Sequence, residues 1–418
     1  MSSEHLLPLA DARSFVLSRV SRLPAVEVPL GSALGTVLAA PITSTCAVPP
    51  FDNSAMDGFA VRAEDVIAAS ATSPIMLDVV ATIAAGGQAS CDIGAGEAAR
   101  IMTGAPMPPG ADAVVMVERT RPAGDATVHI LGAVSPGTAI RLAATDVAAG
   151  DLVLDAGAEL GPAHLSLLAT VGQASVEAIR RPLVGVLSTG DELVPPGLPL
   201  GQGQIYDSNR VGLLAQLHDS GFETADLGCV PDDPAAIEVA LREGVARCDA
   251  VLSSGGVSMG DYDHVKVVLD RIGDMRWMQI AIKPAKPFAF GLVGGTPVFG
   301  LPGNPVSSMV SFELLARPAL RRMAGHAVLE RLMVRAQAEH DFERRLDGKI
   351  HFARAVVTWD DDGQAWVRSA GGQASYQLTA MAAANALAEV ADGDGARAGE
   401  RLPCWLLGPP TRGVSVAA

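Results

Sequence analysis

The chain has 418 residues, a formal net charge of −15, and 49% hydrophobic but only 4% aromatic residues. This length predicts two to four domains, with cores built mainly from alanine, valine and leucine. The negative charge argues against a nucleic-acid binder or a protein of anionic membrane surfaces, because both need a basic face. It does not exclude a small anionic substrate. Salt screens distant charges over roughly 8 Å at physiological ionic strength, so a local lysine cluster can attract an anion in spite of the net negative charge.

The cysteines and the hydropathy pattern predict a cytoplasmic protein. Five scattered cysteines without a CxxC pair favour thiols in a reducing compartment over a disulfide framework. Residues 1–10 lack the basic segment of a signal peptide. No apolar run reaches the roughly 18 residues of a membrane span, so we expect neither a membrane nor a nucleic-acid partner.

The N-terminal part predicts a helical and extended linker domain. Apolar residues at helical spacing predict a short amphipathic helix over 8–21, and a second helix is predicted over 31–40. Pro49 and Pro50 then exclude a helix, and the following turn residues begin a different pattern. A further helix is predicted over 162–172. We therefore assign residues 1–47 and 141–178 to one discontinuous linker domain.

Residues 48–140 predict a small β-rich insertion domain. Short β-like runs at 75–83, 98–102, 113–117 and 127–131 are separated by glycine and proline. Asp57, which precedes a glycine, and Thr103, which follows a predicted strand, are candidate site residues here. Asp146 opens a turn in the linker domain. By itself, an Asp-Gly pair more often marks only a turn.

From residue 179 onwards the pattern alternates between strands and helices. Strands at 183–187, 224–230, 250–252 and 297–300 alternate with helices that begin near 208, 234, 264 and 306. This alternation predicts a three-layer α/β/α domain over 179–326, with a mainly parallel sheet. Residues 327–418 carry short alternating segments and predict a barrel-like β domain. The whole chain is therefore predicted to be an α/β multidomain protein.

Three predicted strands of this central domain end in loops of small residues. In an open α/β sheet, ligands bind outside the carboxyl ends of the strands. Glycine lets backbone N–H groups approach an anion closely. The loops therefore predict a phosphate-binding edge, with these candidates: Ser188, Thr189, Gly190, Ser254, Gly255, Gly256.

Charged residues beside these loops add a candidate metal site. Lys283 and Lys286 lie in the stiff sequence KPAKP, and Glu192 and Asp263 follow two of the strands. Cations beside carboxylates indicate a phosphate and Mg²⁺ site, because Mg²⁺ prefers hard oxygen ligands. The plainer interpretations stay open at this point: Glu192 as a solvated loop acid, Asp263 as a helix-starting acid and KPAKP as a solvated turn.

Eight motifs in order carry a family resemblance. They are DNSAMDGFAVR, RIMTGAPMPPGADAVVMVE, LSTGDEL, GQIYDSN, DDP, SSGGVSMGDYD, KPAKPFAFG and GLPGNPVSS. The chain resembles the molybdopterin molybdenumtransferase family, which includes bacterial MoeA and the E domain of gephyrin. The resemblance runs from about residue 8 to the C-terminus and is densest between residues 45 and 310.

The resemblance implies that adenylylated molybdopterin and molybdate react, with Mg²⁺, to give molybdenum cofactor and AMP. It implies catalytic and metal-binding roles for Asp57, Glu192 and Asp263. Gln279 stands where some members carry a lysine. The residues that match substrate-binding or cleft-lining positions of the family are Thr103, Asp146, Asp232, Lys283, Pro302, Pro305, Ser307, Arg354 and Ser375.

The resemblance also implies an elongated homodimer whose cleft is shared, so that Asp57 and Thr103 act in trans. The adenylyltransferase that makes the substrate and molybdoenzyme chaperones are expected partners. Two other functions stay open from the residues alone. An adenylyltransferase would leave residues 1–170 and 330–418 unexplained, and a scaffold would not need the carboxylates together with Lys283.

Overall fold

The computed structural model describes residues 6–88, 90–124, 126–256 and 264–409. The chain forms two compact units. The first contains Met1–Val26, Gly35–Val37 and Ile179–Ala418, and the second contains Glu27–Leu34 and Leu38–Ala178. Across the described ranges, every helix is too short or too polar to cross a membrane.

A six-stranded sheet forms the centre of the first unit. Its four parallel strands are followed by an antiparallel pair, which confirms the predicted mainly parallel sheet. The strand order across the sheet is Glu223–Val230, Leu183–Thr189, Ala250–Ser254, Thr296–Leu301, Pro287–Val293 and Asp274–Gln279. Two further short strands, Leu193–Val194 and Ile205–Tyr206, pair with each other.

Alternate residues of the central strands pack into two separate cores. Val184 and Val186 join a core with the helices on one face, whereas Leu187 and Val251 join a core with the helices on the other. Successive side chains of a strand point to opposite faces, so a strand with both faces apolar must be covered twice. This arrangement confirms the predicted three layers.

The helices of the first unit mostly begin where their capping residues predict. Asp233 accepts a hydrogen bond from Ala236 N, and Pro234 occupies the first position of a helix that was predicted to begin near residue 234. The cap of the preceding helix is Asp207, which accepts a hydrogen bond from Arg210 N. The helices are Leu9–Ser18, Ser208–Asp219, Pro234–Arg247, His264–Ile272, Pro305–Ser311, the π-helical Phe312–Ala316, Arg317–Met323 and Leu378–Ala383.

The C-terminal strands close into a barrel, which confirms the predicted barrel-like domain. Five strands pair in sequence, and the first pairs again with the last. In order around the barrel they are Ile350–Trp359, Ala365–Ser369, Met333–Ala338, Arg401–Leu406 and Ala386–Val390. Phe342–Glu343 pairs with Gly395–Ala396. The short strand Ile282–Lys283 extends the barrel sheet, with Lys283 opposite His351.

The second unit contains another six-stranded sheet, and four of its strands lie where the β-like runs predicted them. Its strand order is Ala113–Met116, Gly58–Val61, Glu97–Ile101, Ile75–Ile83, Thr127–Ile130 and Thr120–Pro122. The remaining elements around this sheet are strands Ala25–Pro29, Ile42–Thr43, Asn53–Ser54, Ile140–Arg141, Leu152–Leu154 and Ser175–Ile179, helix Pro162–Thr170, and 3₁₀ turns Leu30–Ser32, Ala63–Val66 and Val117–Arg119.

The predicted helix over residues 31–40 is wrong. The structure has only the 3₁₀ turn Leu30–Ser32 there, and Gly35 has a φ of +75°, which a right-handed helix does not allow. Gly31 and Gly35 both lower the helical propensity of this stretch, and its apolar residues misled the prediction.

Candidate functional site

Three loops of the central sheet meet at its carboxyl edge, as the parallel strands predicted. The Gly255 N–H donates to the Leu301 carbonyl at 3.0 Å. A Cβ on Gly255 would lie 3.3 Å from the Thr189 carbonyl, and one on Gly303 would lie 4.0 Å from Gly255 Cα. The structure therefore brings together the loops that follow Thr189, Ser254 and Leu301.

Two glycines in these loops have positive φ values, and at Gly256 the available space also requires glycine. Gly256 has a φ of +71°, and a Cβ there would lie only 2.2 Å from the Val265 Cβ. Gly190 has a φ of +151°, and a Cβ there would lie 2.6 Å from a carboxylate oxygen of Glu192. L-residues rarely adopt these φ values. The absence of a side chain at Gly190 is what lets the Glu192 carboxylate fold over the loop.

Exposed carboxylates border the same edge. Glu192 and Asp232 are both exposed, and Asp232 N donates to Asp191 Oδ1 at 3.1 Å. Burial raises the pKa of the Cys229 thiol, and the negative charges of Asp207, Glu192 and Asp232 raise this pKa further. These acids therefore surround one position at the end of the Glu223–Val230 strand.

Asp207 holds the end of the Leu183–Thr189 strand in place, and it is a site residue that was not predicted from the sequence. It is buried and accepts hydrogen bonds from Ser188 Oγ at 3.0 Å and from Arg210 Nε at 2.8 Å. The Ser188 hydroxyl is thus engaged with Asp207. The signal was present in the GQIYDSN motif, where a single acid precedes a helix.

Arg354 lies in the Ile350–Trp359 strand and is only 1% exposed. Its Nη2 donates to the Gly372 and Ala374 carbonyls at 3.3 and 3.2 Å, and its backbone pairs with the Gln373 side chain. Its Nε has no hydrogen-bond partner within the described ranges. Burial lowers the pKa of Arg354 to about 10, so the guanidinium stays charged at neutral pH. The barrel thus holds a fixed cation whose buried Nε is unpaired in the described part of the chain.

Arg354 lines a cavity of about 390 Å³ together with Lys283. Burial lowers the pKa of His351 in this cavity; the positive charges of Arg344 and Lys283 lower it further, against the opposing effect of Asp347. The other lining side chains that carry charge or hydrogen-bonding groups include His340, Asp341, Glu343, Arg344, Arg345, Asp347, Ser369 and Gln373. The cavity is large enough for a tetrahedral oxyanion, and its lining includes the cations Lys283 and Arg354 beside the carboxylates.

Ser375 contacts a strand-end loop and lies in the same barrel loop as Gln373, which lines the cavity. Its hydroxyl accepts a hydrogen bond from Asn304 Nδ2 at 3.0 Å, and its carbonyl accepts one from Val306 N at 3.2 Å. Pro305 begins the helix at this point and Ser307 is buried within it. The predicted residues of the 302–307 segment and Ser375 therefore lie together. Lys286 lies in the same tight turn as Lys283, and its carbonyl accepts from Ile280 N at 2.7 Å.

In the second unit, Asp57 and Thr103 are brought together. Asp57 Oδ1 accepts hydrogen bonds from both Thr103 N and Thr103 Oγ1, each at 2.7 Å. These two bonds lower the pKa of the exposed Asp57 carboxyl. Asp146 is also exposed, and its N–H donates to the Val48 carbonyl at 3.0 Å. The hydrogen bonds fix one oxygen of Asp57 on an open surface.

Three carboxylates, Asp57, Glu192 and Asp263, are the predicted metal ligands. Asp263 lies outside the described residues. Over the described ranges, no three His, Cys, Asp or Glu side chains form a cluster that would hold a metal ion. Mg²⁺ is often bound through only one or two carboxylates, with water and substrate phosphates completing its shell. The exposed Glu192 carboxylate beside the glycine loops fits that mode.

The fold and this site define a class: a multidomain α/β protein with glycine loops at the strand ends and a cationic barrel cavity in one unit. Three family models match the chain. They describe the MoeA N-terminal region (domains I and II) over residues 7–172, a probable molybdopterin binding domain over 185–322, and the MoeA C-terminal region (domain IV) over 339–407.

Full-length relatives give the same result. The chain is 39% identical to a molybdopterin molybdenumtransferase from Haemophilus influenzae over 91% of this chain and 93% of the relative. It is also 39% identical to one from Nostoc, over 90% and 88%. A crystal structure of the molybdopterin biosynthesis MoeA protein from Pyrococcus horikoshii matches with a TM-score of 0.77 at 32% identity, covering 96% and 99%. The chain belongs to the molybdopterin molybdenumtransferase family, whose members act in molybdenum cofactor biosynthesis.

Proposed function

We propose that this protein inserts molybdenum from molybdate into adenylylated molybdopterin and releases AMP, in a reaction that depends on Mg²⁺. The observation that carries the proposal is the position of Ser375, which contacts the strand-end loop at Asn304 and lies in the barrel loop whose Gly372 and Ala374 carbonyls hold Arg354. A transferase that joins a phosphorylated pterin to a metal oxyanion needs two anion sites side by side. One compact unit of this chain contains both features.

The strand-end loops would bind the phosphate end of the substrate. Gly255 and Gly256 have positive φ values, so their backbone can approach an anion without steric hindrance from a side chain. Thr189 and Gly190 adjoin them on the neighbouring strand. Breaking a phosphoanhydride bond requires stabilisation of charge that develops on the phosphate oxygens. Fixed N–H groups at this edge supply part of that stabilisation.

Glu192 would bind Mg²⁺ at this edge, with Asp57 and Asp263 as further ligands. The bound ion would neutralise negative charge on the phosphate oxygens. The carboxylates position the ion and do not attack the substrate. Asp57 is well prepared for this role because Thr103 holds one oxygen and keeps its pKa low, so that the carboxylate is ionised at neutral pH.

Arg354 and Lys283 would bind molybdate, a tetrahedral dianion. The Nε of Arg354 lacks a partner within the described residues, while Nη2 is held by two carbonyls. Charge-assisted hydrogen bonds from these cations would fix the oxyanion next to Ser375. A molybdate oxygen or a water then attacks phosphorus in the bond between the pterin phosphate and AMP, and AMP leaves. The two dithiolene thiols would bind molybdenum and displace one of its oxo ligands as water.

The test is an assay with adenylylated molybdopterin, Mg²⁺ and micromolar molybdate, in which AMP release and pterin-bound molybdenum are both measured. We expect AMP release that requires molybdate and matches the molybdenum incorporated. AMP release without any dependence on molybdate would contradict the proposal. Consumption of ATP with free molybdopterin would instead place the protein one step earlier, as an adenylyltransferase.

We further propose a homodimer in which Asp57 and Thr103 of one subunit serve the other subunit. The family resemblance supports this assembly, as does the exposure of both side chains. Mixing Asp57→Ala with Glu192→Ala subunits should restore about a quarter of wild-type activity after random exchange, because half of the dimers would contain one intact site. Complete inactivity after verified exchange would contradict sharing in trans.

The proposal extends to the cellular context. We place the protein in the cytoplasm, where the five cysteines stay reduced; all five are free thiols in the structure. The substrate would come from a molybdopterin adenylyltransferase and the product would pass to molybdoenzyme chaperones. Either partner should co-purify with the tagged protein, and substitutions of surface residues should reduce the amount of partner recovered.

A further inference from the structure

Two asparagine side chains connect the loops of the candidate site across long stretches of sequence. Asn209 Nδ2 donates to Ser254 Oγ at 2.8 Å and to the Gly303 carbonyl at 2.7 Å. Asn304 Nδ2 donates to Ser375 Oγ at 3.0 Å. The 302–305 loop is therefore bonded on one side to the end of a central strand and on the other side to the barrel.

The Asn304 side chain contacts Ser375 and does not cap its own helix. It occupies the N-cap of the Pro305–Ser311 helix, where asparagine usually accepts a hydrogen bond from the first turn. Its side chain makes no cap hydrogen bond here. The Val306 N–H, which is free at most helix starts, is taken by the Ser375 carbonyl at 3.2 Å. Both contacts direct the start of this helix towards the barrel loop.

Asn209 is held just as firmly. It follows the buried Asp207 at the start of the Ser208–Asp219 helix, and Asp207 is fixed by Ser188 and Arg210. Both of its contacts use the amide nitrogen, while its Oδ1 is buried without a partner in the described part of the chain. A buried acceptor without a partner destabilises the fold. Its presence at the strand ends is typical of a functional position and not of a stability device.

The contacts continue to Arg354. The loop that contains Ser375 also contains Gly372 and Ala374, whose carbonyls hold the Arg354 guanidinium. A shift of the 302–305 loop would therefore be transmitted to Ser375 and to the carbonyls beside it. The continuous series of contacts is Ser254, Asn209, Gly303, Asn304, Ser375, Ala374 and Arg354.

We propose that Asn209 and Asn304 are positioning residues that couple the phosphate site at the strand ends to the oxyanion site in the barrel. This rests on the proposed function, which defines the two ligands. Neither asparagine needs to touch them. Each holds the shared 302–305 loop against one of the two sites, so binding at one site orders the loop for the other. Coupling between sites must be reciprocal.

The test measures coupling directly with AMP, Mg²⁺ and molybdate as probes. In the wild type, saturating AMP should strengthen molybdate binding at least about fivefold, the lower range of ordinary coupling, and saturating molybdate should strengthen AMP binding equally. Isothermal titration with each ligand, alone and with the other present, gives both factors. Factors of about one in the wild type, that is, independent binding of the two ligands, would contradict the inference.

Removing either link should abolish the coupling. In Asn304→Ala we expect molybdate binding to weaken about three- to tenfold, as for loss of one hydrogen bond, with AMP binding alone within about twofold of wild type. In Asn209→Ala we expect AMP binding to weaken about three- to tenfold, with molybdate binding alone within about twofold of wild type. In both variants the coupling factor should fall to about one.

Two further variants separate positioning from stability. In Asn304→Asp the direction of the bond is reversed, because the carboxylate accepts from the Ser375 hydroxyl. The contact is retained, so this variant should keep the coupling even if its charge weakens molybdate binding. Asn385→Ala is the matched control, because Asn385 makes two hydrogen bonds to the Val357 backbone inside the barrel. It should lower the melting temperature and leave the coupling factor unchanged.

The possible failures are distinguishable. If the wild type binds neither AMP nor molybdate, the proposed function and this inference both fail. If it binds both and coupling survives in Asn209→Ala and Asn304→Ala, only the role of the asparagines is wrong. If Asn385→Ala abolishes coupling as completely as Asn304→Ala, the effect is one of general stability and the inference is also wrong.

Discussion

The strand-end loops and the barrel cavity belong to the same unit but are built on different principles. The loops owe their position to parallel strands that end at one edge, and they present backbone N–H groups, glycines and exposed acids. The cavity owes its position to barrel closure, and it presents a buried guanidinium held by carbonyls. Under the proposed function, the loops would bind phosphate together with Mg²⁺, and the barrel cavity would bind an oxyanion without a metal ion.

The difference teaches how a chain of net charge −15 would bind two anionic substrates. At the loops, fixed dipoles and a recruited Mg²⁺ would provide the positive potential. In the barrel, the positive charge comes from the buried Arg354. Removing its guanidinium from water is unfavourable and lowers its pKa to about 10. If this comparison holds, substitutions in the two regions should affect different ligands.

The largest effect is expected for Glu192→Gln. Removing the carboxylate should lower the turnover of AMP release on the order of 100-fold, comparable to loss of one group that stabilises transition-state charge, and should raise the Mg²⁺ concentration needed. The molybdate affinity in the barrel should stay unchanged. Steady-state rates across a Mg²⁺ series test this. Glu238→Gln, at a half-buried acid that pairs with Arg242 and Arg271, is the control and should behave like the wild type.

Arg354→Lys should have the next largest effect, and on the other ligand. Lysine keeps the charge but loses the planar fork that the Gly372 and Ala374 carbonyls hold. We expect molybdate to bind about 10- to 100-fold more weakly, from the loss of a charge-assisted hydrogen bond, with AMP affinity unchanged. Calorimetric titration measures both. Arg368→Lys, on an exposed position of the adjacent strand, is the control. Equal loss of both ligands would contradict separate sites.

Thr103→Val should have the smallest effect, on pH dependence. The Thr103 hydroxyl and N–H lower the pKa of Asp57, so removing the hydroxyl should raise this pKa towards its usual value. At a given acidic pH more Asp57 would be protonated, and the acid limb of kcat/KM should move to higher pH while the rate at neutral pH is kept. Thr120→Val is a matched control, since its hydroxyl bonds only to the Val117 carbonyl. An unmoved acid limb would mean that Asp57 ionisation is not required.

Much of the loop region could be predicted from the sequence, because local signals were sufficient. Alternating strands and helices implied parallel strands, and parallel strands place Thr189, Ser254 and Leu301 at one edge. The cap at Asp233 and the β runs of the second unit were likewise local. The helix predicted over 31–40 failed because its apolar residues were weighed more heavily than Gly31 and Gly35.

The contacts that assemble the site could not be predicted in this way. Asn209 and Gly303 are 94 residues apart, and Asn304 and Ser375 are 71 residues apart. Local sequence patterns do not predict such contacts, because the contacts depend on how the barrel packs against the central sheet. Arg354 was inferred only from the family resemblance; its burial and its carbonyl partners follow from closure of the barrel. The four predicted domain boundaries and the individual site roles stay predictions.

The most direct test is to locate the two ligands at once. Crystals grown with AMP, Mg²⁺ and molybdate should be measured at the molybdenum absorption edge, where only molybdenum gives a strong anomalous signal. We predict the anomalous peak in the barrel cavity, within hydrogen-bonding distance of Arg354, and AMP phosphate against the loops at Thr189 and Gly255. A molybdenum peak at the strand-end loops, with the barrel cavity empty, would contradict the division of the site into two regions.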